Sequence, residues 1–286
     1  MSFYWFGEVS DDCCVPCQSR DPESLSRRLE GIRVEMTNFT PLRWEMAVDC
    51  GFISTRQEYL GLLREVCMFR ADQQISRDSQ IPDRELIQMV RMLDQIDEAV
   101  NLLTERAVEW HAVLDPVFSR KYRELRGKSA IDLIRQGESA ALREVVQEME
   151  RIYVLRASLA KEISGLAEKI LPNCTALAGG LVAARLASDA GSLAALSRMP
   201  ASSIQVLGAR TALFSHLRTG SSPPKHGIIY QHSRVHNAKR GRRGRVARTL
   251  AAKLAIAARI DWFRGAADPA FLEVAQGAVN RAGGKP

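Results

Sequence analysis

Leu86, Met89, Leu93, Ile96, Val100, Leu103, Ala107, Trp110 and Leu114 recur at alternating steps of three and four residues through four heptads. A mean step of about 3.5 falls just short of the α-helical 3.6, so such a stripe keeps to one side of a helix only if the helix winds against a partner. Pro116 ends or kinks the run, because it lacks an amide hydrogen and its ring collides with the preceding turn. A second series follows at Leu142, Val145, Met149, Ile152, Leu159, Ile163, Leu166 and Ile170, with Arg156 in one expected apolar place and Leu155 beside it. Two such helices joined by Asp115 to Ser139 suggest an antiparallel coiled-coil helical hairpin. The competing account is two ordinary amphipathic helices of a globular bundle. Either way the segment is a spacer or an assembly surface, with Asp94, Asp97, Glu98 and Glu105 as its solvated face.

Ahead of the hairpin, Ser2 to Val9 is aromatic and partly alternating and runs into the turn pair Asp11-Asp12, which reads as a strand. Asp21-Pro22-Glu23 supplies an N-cap, a proline at the first helical position and an acid in the first turn of a helix ending near Leu29. From Arg33 to Phe52 the signal is mixed, with short strands expected around Ile32 to Met36 and Trp44 to Val48. The sum is a small α+β domain that should lean on a neighbour or partner, since so short a segment buries little core. From Ser54 the pattern turns helical, capped by Ser54 or Thr55, with Tyr59, Leu62, Leu63, Val66 and Met68 on its apolar face. Ser76 to Ile81 breaks it, and Pro82 with Asp83-Arg84-Glu85 starts the next helix.

Charge is distributed unevenly. From Leu171 to the C-terminus seventeen Lys or Arg face four acids, a net of +13 in a chain whose total is +7, which leaves −6 for everything before Leu171. Clustered Lys and Arg displace counterions from a phosphate backbone, so nucleic acid is the partner class this favours; the alternative is a solvated basic surface. No apolar run spans a bilayer, since the best, Leu250 to Ile260, contains Lys253 and Arg259. The N-terminus lacks a basic segment followed by an apolar one, so a cytoplasmic protein with no membrane partner is expected. Cys13, Cys14, Cys17, Cys50, Cys67 and Cys174 then read as reduced thiols. Cys14-Val15-Pro16-Cys17 has the two-residue gap used by zinc and redox sites, with Cys50 the nearest candidate for a further ligand, but no second such pair follows. No metal or cofactor is expected.

Leu171-Pro172-Asn173 ends the second long helix and places Asn173 to cap the next. Ala176, Ala178, Gly179, Gly180, Ala183, Ala184 and Ala187 allow helices to approach closely, which points to a tight all-α module. Gly191-Ser192 gives a stop and a new cap, and Pro200 closes the helix after it. Gly208 opens a helix whose free N–H groups, with Arg210, make a seat for a phosphate. Leu213 and Leu217 belong to the core on this reading, and Phe214 is either core or an exposed anchor for a protein partner. Beyond the loop Thr219 to Pro224 come Lys225 and His226, then Ile228-Ile229-Tyr230 and Gln231-His232; rings beside cations suit recognition of unpaired bases. His226, His232 and His236 are ringed by Lys and Arg that would repel a metal ion, and no serine here sits in a nucleophile motif. Lys239-Arg240-Gly241-Arg242-Arg243-Gly244-Arg245 feeds into the apolar stripe Val246, Leu250, Leu254 and Ala257, so the run positions charge on a folded surface. After Phe263 come a weaker helix around Phe271 to Val279 and a Gly-rich end.

Several of these segments, in order, resemble the Nop family: Pro200-Ala201-Ser202-Ser203-Ile204-Gln205-Val206-Leu207-Gly208-Ala209, Ala212-Leu213-Phe214, Pro224-Lys225-His226-Gly227, Tyr230-Gln231-His232, Arg243-Gly244-Arg245-Val246-Ala247-Arg248, Leu250-Ala251-Ala252-Lys253 and Ala257-Ala258-Arg259-Ile260-Asp261. The similarity is greatest to the archaeal Nop subunits of box C/D small ribonucleoproteins. It runs from about Leu171 to Trp262, and Ser54 to Leu114 also resembles the family's helices. Where the family usually has Glu-Lys, this chain has Arg210-Thr211.

The resemblance implies a mainly α fold in four parts. Residues 1–55 form a reduced α+β N-terminal domain that holds fibrillarin, 56–170 a helical and coiled-coil region that makes a homodimer, 171–264 the all-α Nop domain, and 265–286 a weakly structured tail. It also implies a scaffold without catalytic residues or cofactor of its own. Such a scaffold binds the kink-turn of a box C/D guide RNA together with a kink-turn-binding ribosomal-type protein. It positions fibrillarin, an S-adenosylmethionine-dependent methyltransferase, for ribose 2′-O-methylation of rRNA or tRNA. The candidate RNA contacts are Gly208, Arg210, Lys225, His226, Gln231, Arg243, Arg245 and Arg248; Ile204, Leu213 and Phe214 are candidates for packing on the protein partner. Two other readings stay open: an RNA-binding coiled-coil protein that no longer recruits fibrillarin, and a metal-dependent enzyme using the N-terminal Cys cluster.

Overall fold

A computed structural model describes residues 2–9, 14–31, 43–79, 81–115, 131–132, 134–135 and 139–284. The fold is mainly helical, with one small antiparallel sheet at the N-terminus. It divides into two compact units, Met1–Ile81 and Pro82–Pro286. The helix that follows residue 55 therefore belongs to the first unit, together with the N-terminal sheet.

In the first unit β1 (Ser2–Tyr4), β2 (Gly7–Val9) and β3 (Cys14–Pro16) form an antiparallel meander in which Phe3 faces Glu8 and Glu8 faces Val15. The turn between β1 and β2 drives Trp5 and Phe6 into a core with Leu25, Phe52, Tyr59 and Val66. There the Trp5 indole donates to the Tyr59 hydroxyl at 3.2 Å, which satisfies the buried indole N–H. The first helix, α1 (Pro22–Gly31), starts as expected, with the Asp21 carboxylate accepting from the Ser24 amide at 3.1 Å. Trp44 to Val48 is not a strand: α2 (Glu45–Asp49) is a short helix that buries Ala47, and so brief an apolar run carries no period that separates the two states. The other expected strand, around residues 32–36, lies outside the described residues. In α3 (Arg56–Ser79) the Thr55 hydroxyl accepts from the Glu58 amide at 3.1 Å and Glu58 reaches back to the Ser54 amide at 2.8 Å, a reciprocal cap. The helix continues through Ser76, where a break was expected.

The expectation of reduced thiols fails at one pair. Cys14 on β3 and Cys50 at the end of α2 are joined in a disulfide, with Cα atoms 5.3 Å apart. Thirty-six residues separate them in sequence, and only the fold of the unit brings them together. Both are thereby withdrawn as thiolate ligands from the metal site considered above.

The second unit is built on the hairpin. α4 (Pro82–Leu114) and α5 (Ala140–Ile170) run antiparallel: Leu86, Val90 and Leu93 meet Ile163 and Ala167, and Ala107 meets Leu142, Val146 and Met149. The seam, however, is rotated from its expected place. Leu86, Leu93, Val100 and Ala107 are buried, but the intervening buried positions are Val90, Thr104 and His111 instead of Met89, Leu103 and Trp110. Asp97, expected on the solvated face, takes a bidentate pair from Arg156 on α5. This ionic layer separates the two apolar stretches of the hairpin.

The rest of the unit wraps α12 (Arg240–Arg264), whose buried face is Val246, Ala247, Leu250, Ala251, Leu254, Ala255, Ala257 and Ala258. Methyl-sized side chains at five of these eight positions let α6 (Pro172–Ala178), α8 (Leu193–Arg198) and α9 (Ala201–Val206) approach closely. Between α6 and α8, α7 (Gly180–Ala190) packs on both hairpin helices. Gly191, at φ +90°, stops α7, and the Ser192 hydroxyl caps α8 by accepting from Ala195 N at 3.0 Å. Asn173 does not cap α6 in the manner expected; its own amide is caught by the buried Asp261 carboxylate. Nor are residues 265–286 weakly structured where described: α13 (Pro269–Gly283) is capped by Asp268 and buries Ala275, Val279 and Ala282. Its fully buried residues are small, which lowers its contrast in sequence without preventing close packing.

Candidate nucleic-acid interface

The candidate residues lie on segments threaded between α9 and α12. Leu207-Gly208 ends α9, and Gly208 sits at φ +82°, where a Cβ would also come within 2.6 Å of Ile228 Cγ1. α10 (Arg210–Thr219) follows, then the Ser/Pro loop. The chain then returns alongside the end of α9: Gly227 N donates to Gln205 O at 3.0 Å, Ile228 N to Leu207 O at 2.8 Å, and Gln205 Nε2 to Lys225 O at 2.9 Å. Contact is so close that a Cβ on Gly227 would overlap the Leu207 carbonyl oxygen. A single 3₁₀ turn, Ile228–Gln231, pins itself by burying Ile229, and α11 (Ser233–His236) does the same with Val235.

This turn presents a cluster of rings. His226 stacks on Tyr230 with centroids 4.4 Å apart and planes 16° apart, His236 tilts against Tyr230 at 5.0 Å, and the Arg243 guanidinium lies 5.3 Å from the Tyr230 centroid. Arg243 also donates to the His236 carbonyl at 3.3 Å, so it braces the cluster from below. Burial holds the His226 imidazole below its ordinary value of 6.5, and Arg243 and Lys225 push the same way. His226 is thus a neutral ring in a field of cations at neutral pH. His232 is lowered too, first by burial and then by Arg234.

The structure sorts the expected RNA contacts into two groups. Lys225, Arg245 and Arg248 are exposed and their side chains make no hydrogen bond or ion pair among the described residues. Arg243 is committed to the ring cluster, Arg210 pairs with Asp189 at 2.8 Å, and Gln231 accepts from Arg185 Nη1 at 2.7 Å. Gly208 shapes the chain and offers no side chain. Among the protein-partner candidates, Ile204 is wholly buried and belongs to the interior, Leu213 is half-buried, and Phe214 is 62% exposed. Leu217, expected in the core, is 70% exposed, because α10 buries no residue at all. Sequence reading missed Arg185, since an arginine in an alanine-rich helix looks like surface. Its side chain is in fact 14% exposed and bonded on three sides.

Such an arrangement can hold phosphate oxygens with its free cations and offer a flat uncharged ring beside them. Among the described residues no group of three or more His, Cys, Asp or Glu is placed to hold a metal, and no helix is long and apolar enough to cross a membrane.

Residues 125–279, more than half of the chain, match the Nop family, described as a snoRNA binding domain, fibrillarin. An uncharacterized NOP5 family protein of Methanocaldococcus jannaschii is 34% identical over 220 residues, which is 64% of this chain and 53% of that protein. Nucleolar protein 58 of Candida albicans is 32% identical over 217 residues, 63% of this chain and 42% of that protein. The chain thus spans about half the length, or less, of the curated relatives it matches. Among solved structures, a chain in the crystal structure of a fibrillarin/Nop5p complex superposes with a TM-score of 0.52 at 28% identity, covering 98% of both chains.

Proposed function

The chain belongs to the Nop family, and from that premise we propose that it is an RNA-binding scaffold of a fibrillarin-associated ribonucleoprotein. The observation that carries this reading is the set Lys225, Arg245 and Arg248, three unpaired cations held on ordered backbone beside the His226–Tyr230 stack. A solvated basic surface needs no such support. The RNA class it suits is a guide RNA with a kink-turn, whose bent backbone brings phosphates together and whose unpaired bases can meet a ring.

α10 supports a second partner. A ten-residue helix with no buried residue and with Phe214 at 62% exposure is laid out to be covered, and in this family the natural cover is the kink-turn-binding ribosomal-type protein already on the RNA. The first unit is the segment proposed to hold fibrillarin, which then methylates ribose 2′-hydroxyls of rRNA or tRNA at positions set by the guide. A second copy is proposed to dock on the hairpin, where the rotated seam leaves Trp110, Val113, Val154 and Leu155 at 42%, 80%, 71% and 57% exposure. The chain contributes no catalytic group on this reading, and its site of action is the cytoplasm.

The test is a gel shift of the full chain with a box C/D kink-turn RNA, with and without the kink-turn-binding protein, followed by addition of fibrillarin. Binding that requires both RNA and protein, and that then recruits fibrillarin, is the expected result. Recruitment failing while the ternary complex forms would leave an RNA-binding coiled-coil protein without fibrillarin. Equal binding to any RNA would overturn the composite-surface reading.

A further inference from the structure

Arg185 projects from α7 into a gap between the hairpin and the 3₁₀ turn. Its Nε and Nη2 donate to Asp94 Oδ1 at 3.0 and 2.7 Å, Nη2 also approaches Asp97 Oδ2 at 3.4 Å, and Nη1 donates to Gln231 Oε1 at 2.7 Å. Asp97 is held in turn by Arg156. Two carboxylates and two guanidinium groups thus form one chain of charge-assisted hydrogen bonds that ends on an uncharged amide. The forked donors of an arginine suit this geometry, and a lysine could not span it.

The end group is the informative one. A guanidinium has donors only, so the atom of Gln231 that faces Arg185 must be the carboxamide oxygen, and the orientation of the amide is settled by its partner. What remains of Gln231 on the exposed side is its NH₂ group, which makes no hydrogen bond among the described residues. Gln231 follows Tyr230 directly, at the edge of the ring cluster.

We infer that Arg185 is a positioning residue of the RNA face: by holding the carboxamide oxygen of Gln231 it turns the amide N–H donors outward, so that Gln231 meets acceptor atoms of RNA and not donors. The inference rests on the RNA-binding reading above. It adds that the hairpin, through Asp94 and Asp97, sets the aim of a donor on the RNA face, which makes the two parts one mechanical piece. A phosphate, a ribose 2′-oxygen or a base carbonyl satisfies Gln231, whereas an exocyclic amino group does not.

The experiment measures affinity of the full chain for kink-turn RNA with the kink-turn-binding protein present. Gln231→Glu keeps an acceptor for Arg185 but removes the donors and adds a negative charge; affinity should fall about tenfold or more with the melting temperature unchanged or raised. Arg185→Lys preserves the charge beside Asp94 and Asp97 but loses the fork, and should weaken binding in the wild-type background yet have no further effect on top of Gln231→Ala. Equal losses from Arg185→Lys in both backgrounds, or wild-type binding by Gln231→Glu, would overturn the inference. Arg245→Ala, run in parallel, separates the two levels. If it weakens binding while the Gln231 variants do not, only the positioning role is lost; if the wild-type chain binds no RNA, the reading beneath it falls as well.

Discussion

The Asp261 carboxylate, near the end of α12, accepts from Asn173 N at 2.9 Å, from Asn173 Nδ2 at 2.7 Å and, through its other oxygen, from Cys174 N at 3.0 Å. α6 has no side-chain cap of its own, so a residue 88 positions away serves as one. Asn173 completes the knot by accepting from Asp268 N at 2.8 Å and donating to the Ala266 carbonyl at 2.9 Å, which ties the entry of α13 to the same point. Asp261→Ala leaves two buried backbone N–H groups and an amide without their acceptor, and should cost about 3 kcal/mol of unfolding free energy. Asp261→Asn retains one acceptor oxygen and should cost less. Urea denaturation of both variants checks the order.

Gly227 is the tightest crossing in the proposed RNA face. Because a Cβ there would overlap the Leu207 backbone oxygen, no rotamer change relieves Gly227→Ala; it should destabilise by about 1–3 kcal/mol and weaken RNA binding as the turn shifts. Gly241, in the first turn of α12, meets nothing within 4 Å. Gly241→Ala should be neutral or stabilising by up to about 1 kcal/mol through helix propensity and unfolded-state entropy. Equal destabilisation of the two variants by thermal melting would show that the returning segment is not held as described.

These cases also show why parts of the fold were legible in sequence and others not. Local chemistry was plain: Asp21, Thr55 and Ser192 start helices by capping their free amides, Gly191 stops one at a positive φ, and the basic run entering α12 reads as ordered because an apolar stripe continues it. The hairpin was legible as a hairpin, but its seam was not, since Thr104 and His111 are buried while Leu103 and Trp110 are exposed. An apolar pattern follows the larger side chains, and in the second half of α4 three of these, Leu103, Trp110 and Leu114, face outward. Asp97 and Arg156 are each ordinary surface residues until the two helices are set side by side. Long-range pairings such as Cys14 with Cys50, Asp261 with Asn173 and Arg185 with Gln231 leave no local trace at all. Within the site, the free cations were legible as charge, and only the geometry separates them from Arg243 and Arg210.

Ile204 and Phe214 divide stability from partner binding. Ile204 is fully buried, so Ile204→Ala should cost about 2–5 kcal/mol and be tolerated poorly. Phe214→Ala removes an exposed ring and should leave the melting temperature within a degree or two of wild type, a shift of well under about 1 kcal/mol. Its effect should appear instead as a weaker ternary complex with kink-turn RNA and the kink-turn-binding protein. A large loss of stability in Phe214→Ala would place that ring in the interior.

Acid should destabilise the second unit. His226 and His232 both have folded-state values below the ordinary 6.5, held there first by burial. A lowered value means that the unfolded chain takes up protons more readily than the folded one, so the stability these groups contribute is full above about pH 6.5 and is lost as pH falls from there through the folded values. Unfolding by urea at pH 7.5 and pH 5.5 should give a lower midpoint at the acidic pH. Replacing both histidines with Gln should shrink that difference, and an unchanged difference would assign the acid sensitivity to other groups.

Arg245 and Arg210 should differ in their effect on the salt dependence of RNA binding. Arg245 is free, so Arg245→Ala should remove one phosphate contact and flatten the slope of log affinity against log salt by about 0.7–0.9. Arg210 is already paired with Asp189, and a pair that leaves the arginine 72% exposed is worth at most about 1 kcal/mol. RNA can compete for Arg210, but at a cost, so Arg210→Ala should flatten the slope by less. Asp189→Asn releases Arg210 and removes a negative charge near the backbone, and should raise affinity and steepen the slope. Equal slopes for Arg210→Ala and Arg245→Ala, with no gain from Asp189→Asn, would mean that the ion pair does not hold Arg210 back in solution.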